Sequence, residues 1–276
     1  MAKNRKTKFN IFIYILAGFI VFQTVSIGFL FVKNLKLRKE ISVKKIQASP
    51  ARQKVKITAK AAIVLDDWGY NKKNLQALLG IKKPVTISVL PNLPYSKTIA
   101  ETAHENLIEV ILHLPLEAYD KTKRPEKDTI CVGMSSKEVL LRLEKGINSV
   151  PYAGGVSNHT GSKATENYEL MKIILNSLKK KNLFFLDSLV TNNSVCEKAA
   201  RDTGVRFAKR SVFLDNQNNL QYITNQLRQV IAEAKLNKTA VGIGHDRPLT
   251  IKVINQMLRE FQREGVELIY LSEVVR

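Results

Sequence analysis

Cysteine, histidine and tryptophan are scarce in this chain, at two, four and one among 276 residues. Two cysteines cannot build a disulfide scaffold, and four scattered histidines offer no zinc-finger spacing. Only one stretch is apolar and long enough to cross a bilayer, which excludes a many-span membrane protein. Acids are also few, with 24 Asp+Glu against 44 Lys+Arg and a formal net charge of +20. The hydrophobic share of 45% is that of ordinary globular protein, so neither wholesale disorder nor a fibrous rod fits. The length suits one large domain or two small ones.

The excess charge is concentrated at the start. Residues 1–60 hold fourteen Lys and Arg and a single acid, Glu40. A basic segment beside an apolar run points to anionic lipid headgroups. Nucleic-acid binding is the competing reading, but no recognition motif or aromatic–basic platform supports it, so no specific nucleic-acid partner is expected. Phe9 to Val32 carries no charge over 24 residues, enough to span with some tilt. A cleavable signal peptide has an apolar region of about 7–15 residues ending at small residues. Here the run ends in Gly28-Phe29-Leu30-Phe31-Val32 before Lys33, so an uncleaved single-pass anchor is expected. Basic residues flank it on both sides, and the positive-inside rule leaves its orientation undecided. The expected organisation is a basic tail (1–8), a transmembrane anchor (9–32), a solvated basic linker (33–60) and one folded domain (61–276).

From Lys60 onward, short apolar runs alternate with amphipathic stretches. Strands are expected at Ala61–Leu65, Val85–Leu90, Ile108–Leu112, Gly154–Ser157, Leu183–Leu186, Val205–Ala208, Ala240–Ile243 and Val266–Tyr270. Helices are expected after Asn71, from Ser96 to Glu105, from a capping box at Ser135-Ser136-Lys137-Glu138, and over Thr165–Lys181, Ser194–Thr203, Leu220–Leu236 and Ile251–Arg263. Continuous apolar strands alternating with helices mean a parallel sheet covered on both faces. About eight such units suit a closed or distorted β/α barrel of seven to eight strands, with a doubly wound sheet as the alternative.

Unusual polar residues fall at the expected strand ends. Asp66-Asp67 ends the first strand, His113 the third and Asp187-Ser188 the fifth. Asn158-His159 follows the fourth, and His245-Asp246 the seventh. In a β/α barrel that end carries the active site, so residues far apart in sequence converge. Two imidazoles and a carboxylate suit a Zn²⁺ site with open positions. A further carboxylate can take a proton from water and a separate histidine can protonate a leaving amine. Asp66 and Asp67, adjacent on an extended strand, would point opposite ways. Each feature has a plainer reading: Asp-Asp before Trp68-Gly69 as a turn, Asp187-Ser188 as a helix cap, His113 as a core histidine, and the glycines around His245 as a tight turn or room for a ligand. The fourth histidine, His104, is expected on a solvent-facing helix.

Several of these stretches together resemble the divergent polysaccharide deacetylases, a branch of the polysaccharide deacetylase superfamily. They are Ile63-Val64-Leu65-Asp66-Asp67-Trp68-Gly69-Tyr70, Val85-Thr86-Ile87-Ser88-Val89-Leu90-Pro91, Leu112-His113-Leu114-Pro115-Leu116-Glu117, Gly155-Val156-Ser157-Asn158-His159-Thr160-Gly161-Ser162, Phe184-Phe185-Leu186-Asp187-Ser188, Val212-Phe213-Leu214-Asp215-Asn216 and Ile243-Gly244-His245. The resemblance implies a distorted barrel that removes N-acetyl groups from the amino sugars of a glycan with a divalent metal, zinc by preference. It implies Asp66 as base, Asp67 as metal ligand and His245 as general acid. The superfamily's His-x-x-x-His motif is broken, because Glu117 stands four residues after His113. The second imidazole ligand is then His159, with Glu117 the carboxylate alternative. Asn158, Asp187 and Asp215 are supporting candidates, the last two by orienting His245 or holding loops. A cell-envelope, peptidoglycan-like substrate implies a bacterial inner-membrane protein with its domain in the periplasm. There Cys131 and Cys196 could be oxidised, though their spacing does not show that they meet. The rival expectation is a tethered glycan-binding scaffold without catalysis, which the broken motif favours.

Overall fold

The computed structural model describes residues 18–19, 21–40, 56–122 and 125–276, in two units, Met1–Lys54 and Val55–Arg276. In the first unit residues 21–40 are helical. Among the described residues no helix is long and apolar enough to cross a membrane. Residues 9–17 and 20 of the expected anchor, and 41–55 of the expected linker, lie outside the described residues. Residues 33–40, within the expected solvated linker, are helical, since Leu, Lys, Arg and Glu are good helix formers.

The second unit alternates strand and helix. Its strands are β1 (Ala59–Trp68), β2 (Thr86–Val89), β3 (Glu109–Leu116), β4 (Gly155–Thr160), β5 (Phe184–Asp187), β6 (Phe207–Lys209), β7 (Val212–Phe213), β8 (Thr239–His245) and β9 (Val266–Ile269). Its helices are α1 (Leu75–Leu79), α2 (Ser96–Glu105), α3 (Ser136–Ser149), α4 (Tyr168–Lys180), α5 (Cys196–Thr203), α6 (Leu220–Asn237) and α7 (Pro248–Arg263). Every pairing between named strands is parallel. The sheet runs β6-β5-β4-β3-β2-β1-β8-β7, with β9 on β1. That order advances in one direction around a circle and has no reversal, which excludes the doubly wound alternative.

The circle stays open between β6 and β7, so the sheet is a curled half-barrel rather than a closed one. Only Arg210 and Ser211 separate these two strands, and parallel neighbours need a crossover of about a dozen residues. The C-terminus covers part of the seam: Phe207 and Arg276 exchange backbone bonds of 2.9 and 3.2 Å. β7 was not expected from the sequence, because two residues are too few to show periodicity. β9 and β2 share one edge of β1, pairing residues 59–62 and 64–68 respectively, while β8 takes the other edge.

Strand alternation assigns each residue to one of two layers. Ala62, Val64, Ile111, Phe184, Leu186, Val241 and Ile243 form the core inside the curl. The opposite parity, including Ile63, Leu65, Ile87, Val89, Leu112 and Leu114, joins the larger core beneath the helices. A Cβ on Gly155 would sit 2.3 Å from the Phe184 ring, so only glycine lets that ring cross the interior. Several caps differ in detail. Asn74, not Asn71, precedes α1, and Asn71 instead accepts the Lys73 N–H in a turn. Ser96 begins α2 from inside, accepting from Leu93 N–H and donating to the Leu90 carbonyl. Ser135 caps α3 by accepting from Glu138 N–H, but Glu138 pairs with Arg142 and leaves the capping box half made.

Candidate active site

The interior parity that carries Ala62 and Val64 leads up β1 to Asp66. The same count leads to Ser88 on β2, His113 on β3, Ser157 and His159 on β4, and His245 on β8. In the ladder His113 stands opposite Ser157, Pro115 opposite His159, and Asp66 opposite His245. One rim of the curl therefore gathers them. His113 and His159 lie within their strands, which run on to Leu116 and Thr160. They do not end or follow them as expected, because a parallel ladder continues past the last apolar residue.

Asp67 departs from the expected geometry. The register slips between Leu65 and Trp68, and Asp67 is left-handed at φ 67°, a conformation that Asp tolerates better than most residues. The twist brings the two carboxylates to the same imidazole instead of pointing them apart. His113 Nε2 is 3.6 Å from Asp66 Oδ2 and 3.4 Å from Asp67 Oδ1. His159 Nδ1 is 3.1 Å from the same Asp67 oxygen. Such strain in a non-glycine residue clusters at functional sites.

One donor atom each from Asp67, His113 and His159 lies within 4.8 Å of the others. Tetrahedral ligands at about 2.0–2.1 Å from zinc stand roughly 3.3 Å apart, close to the two aspartate–histidine separations. Asp66 Oδ1 is buried and has no hydrogen-bond partner among the described residues, which leaves an unsatisfied acceptor on the carboxylate whose Oδ2 approaches His113. A mixed carboxylate–imidazole set beside an unsatisfied carboxylate oxygen fits a divalent cation with water. Burial raises the pKa of Asp66; its neighbour Asp67 adds to this and the histidines oppose it. Burial also opposes ionisation of Asp67, but hydrogen bonds and charge from His113 and His159 outweigh it and hold that carboxyl far below its usual range.

On the other flank, His245 Nδ1 is 2.8 Å from Asp215 Oδ1, and His245 Nε2 stands 3.9 Å from Asp67 Oδ2. Asp215 is fixed in turn: the His245 N–H and the Thr250 hydroxyl donate to its Oδ2 at 2.9 and 2.7 Å. Burial disfavours the imidazolium, yet the Asp215 hydrogen bond and charge, joined by the charges of Asp67 and Asp66, outweigh it and the His245 pKa rises. The Phe213 ring packs edge-on against His245, with centroids 5.2 Å apart. Gly242 and Gly244 give no ligand access. Added Cβ atoms would meet Val230 at 2.9 Å and Thr250 at 3.0 Å, so they let α6 and α7 approach the sheet.

Three candidates fall outside the cluster, for reasons of parity or pairing. Asp187 faces the helix layer, where it accepts from Leu189 N–H and the Ser194 hydroxyl; it does not orient His245. Asn158, on the same outer parity, holds Ser188 and the Thr160 carbonyl. Glu117 accepts from Val132 N–H and Lys163 at 2.8 Å each and is not a member of the ligand cluster. It lines a cavity of about 610 Å³ that reaches His159. Cys131 and Cys196 are both free thiols. His104 is exposed but stacks on Tyr152, with centroids 3.9 Å apart.

Sequence reasoning missed Ser88, Ser157 and Arg210. The serines could have been found by counting the interior parity through β2 and β4. Arg210 follows β6 at its carboxyl end, where the other site residues lie. Its Nε and Nη2 donate to the Ser188 and Leu189 carbonyls at 2.7 and 2.8 Å, and its guanidinium lies over Phe213. Burial lowers its pKa against the pull of Asp187 and Asp66.

Residues 63–275 match the sequence profile of the divergent polysaccharide deacetylases. The chain belongs to this family. It is 38% identical over 202 residues to uncharacterized protein YibQ of Escherichia coli strain K12, covering 73% of this chain and 63% of that protein. The match thus spans less than two thirds of that relative's length. Uncharacterized protein ATU2773 from Agrobacterium tumefaciens C58 has a similar structure, with TM-score 0.76 at 22% identity over 79% of this chain and 89% of that one. The catalytic domain of peptidoglycan N-acetylglucosamine deacetylase from Eubacterium rectale matches with TM-score 0.51 at 16% identity, over 81% and 93%. At these identities the two structures share the fold.

Proposed function

We propose that this family member is a metal-dependent hydrolase that removes N-acetyl groups from amino sugars of a cell-envelope glycan. The observation that carries the reading is the meeting of Asp67, His113 and His159, with Asp66 on one side and the His245–Asp215 pair on the other. The family and the fold shared with a peptidoglycan N-acetylglucosamine deacetylase support the substrate class. The scaffold alternative drew on the broken His-x-x-x-His motif. His159, arriving from β4 beside Asp67, offers a second imidazole in place of that motif and supports the catalytic reading.

Asp67, His113 and His159 would hold the cation, for which zinc suits the ligand set. Bound there, it supplies a Lewis acid for the amide carbonyl and lowers the pKa of water to roughly 7. Asp66, buried and with a raised pKa, takes the proton from the attacking water through its free oxygen. His245, held protonated by Asp215, gives a proton to the departing sugar nitrogen from Nε2, so that water and the acetamide yield acetate and an amine. The cavity along Glu117, Thr129 and Val190 extends from His159 and provides room for sugar next to the reacting group. A membrane anchor formed by residues 9–32 would hold the domain outside the cytoplasm, where such a polymer lies.

Two measurements test the reading. The purified full chain should contain close to one zinc per molecule, and it should release acetate from an N-acetylated glycan until a chelator stops it. A folded chain that takes up no metal, or chelator-insensitive release, would overturn it. The pH profile should also report the His245–Asp215 pair. A raised His245 pKa keeps the acid protonated to higher pH, so activity falls as pH rises through that value. Asp215→Asn removes the compensating charge, and the alkaline limb should move to lower pH. An unmoved limb would show that His245 is not the acid.

A further inference from the structure

We propose that Ser157, backed by Ser88, is the positioning residue that selects the ring tautomer of His113 and so sets how tightly the site holds its cation; this rests on the metal-binding reading above. Both serines are fully buried, and most of the curl's inner core is Val, Ile, Leu, Phe and Ala. They belong to β2 and β4, strands that do not neighbour each other because β3 runs between them. Even so, their hydroxyl oxygens meet at 2.5 Å. Ser157 Oγ stands 2.7 Å from His113 Nδ1, and the far side of that ring faces Asp66 and Asp67. The three side chains form a line running from the interior to the rim.

A neutral imidazole carries one N–H and one lone pair, and the direction of the serine hydrogen bonds is coupled to which nitrogen has which. In one arrangement Nδ1–H donates to Ser157 and the Ser157 hydroxyl donates to Ser88. The Nε2 lone pair then faces Asp67 and can bind a cation. In the reverse arrangement Ser88 donates to Ser157, Ser157 donates to Nδ1, and Nε2 carries a hydrogen directed at the carboxylates. No lone pair is then left for a metal. Binding therefore requires the first polarity, in which Ser157 accepts from His113 Nδ1–H and Ser88 accepts from the Ser157 hydroxyl. Outer partners of ligating histidines act in this way elsewhere, fixing tautomer and ring orientation. Packing alone does not call for the pair, since burying a hydroxyl costs stability unless it is hydrogen-bonded. Replacing both by alanine removes the serine–serine bond as a pair but leaves the buried His113 Nδ1 without its partner, so some loss of stability is expected.

The test titrates the full chain with zinc against a chromophoric chelator. Ser157→Ala should bind zinc about 10–100-fold more weakly than the unsubstituted chain, the range seen when outer partners of metal ligands are removed. Ser88→Ala should give a smaller loss in the same direction, and both metal-free variants should still unfold cooperatively, Ser157→Ala at the lower temperature because it orphans two buried polar groups. Nitrogen-15 NMR of the zinc-loaded chain should show His113 protonated at Nδ1 and not at Nε2. Equal zinc affinity in a folded Ser157→Ala chain, or a proton on Nε2 in the loaded state, would overturn the inference and leave the metal site standing. If Ser157→Ala fails to fold, Ser88→Ala and the tautomer spectrum decide. An unsubstituted chain that takes no zinc would overturn the metal reading itself, before any variant is compared.

Discussion

Replacing Asp66 with asparagine should lower the rate of acetate release by about 10²–10⁴-fold, the contribution typical of a positioned general base, and leave the bound metal in place. The substitution keeps the shape and removes the proton acceptor. Asp66 lies outside the ligand cluster of Asp67, His113 and His159, so metal content should match that of the unsubstituted chain. The buried, unpartnered Oδ1 and the burial-raised pKa together motivate this role. A base is most effective when its pKa lies near the working pH, and burial moves Asp66 in that direction. Metal analysis and acetate release measured on the same sample check the prediction. Full activity in Asp66→Asn would remove Asp66 from the chemistry, and loss of metal would make it a ligand instead.

The second large effect concerns the residue that stands in for the broken histidine motif. His159→Ala should abolish acetate release and weaken zinc binding by more than about 100-fold, beyond the range for outer-shell partners. The fold should survive, because the His159 side chain is 20% exposed at the rim and is not part of either core. Glu117→Gln is the informative contrast. Glu117 holds Lys163 and the Val132 N–H, so zinc binding should be unchanged while glycan affinity can shift through the cavity it lines. If Glu117→Gln lost the metal and His159→Ala kept it, the ligand assignment made from β4 would be wrong.

The alternation of strand and helix, the parallel pairing and the polar strand ends were all legible from residue order, because apolar periodicity and side-chain parity are local properties. Asp66, His113, His159 and His245 share a rim for that reason: each continues the inward count of its own strand. Asp187 has the same strand-end signature but the opposite parity, and counting from Leu186 would have turned it toward the helices. The helix over residues 33–40 was hidden by its charge, which gives a solvated helix and a linker the same composition.

Residue order by itself determined the family, the alternation of parallel strands with helices and the side chains available to a cation, since these depend on which residues occur and at what spacing. Tertiary structure alone decided that the curl stays open between β6 and β7, that left-handed Asp67 turns toward the histidines, and that two serines on non-adjacent strands meet beneath His113. The physical reason is distance along the chain. A one-residue twist or a contact between strands 69 residues apart leaves no periodic trace, and only packing the whole sheet brings such groups within hydrogen-bond reach.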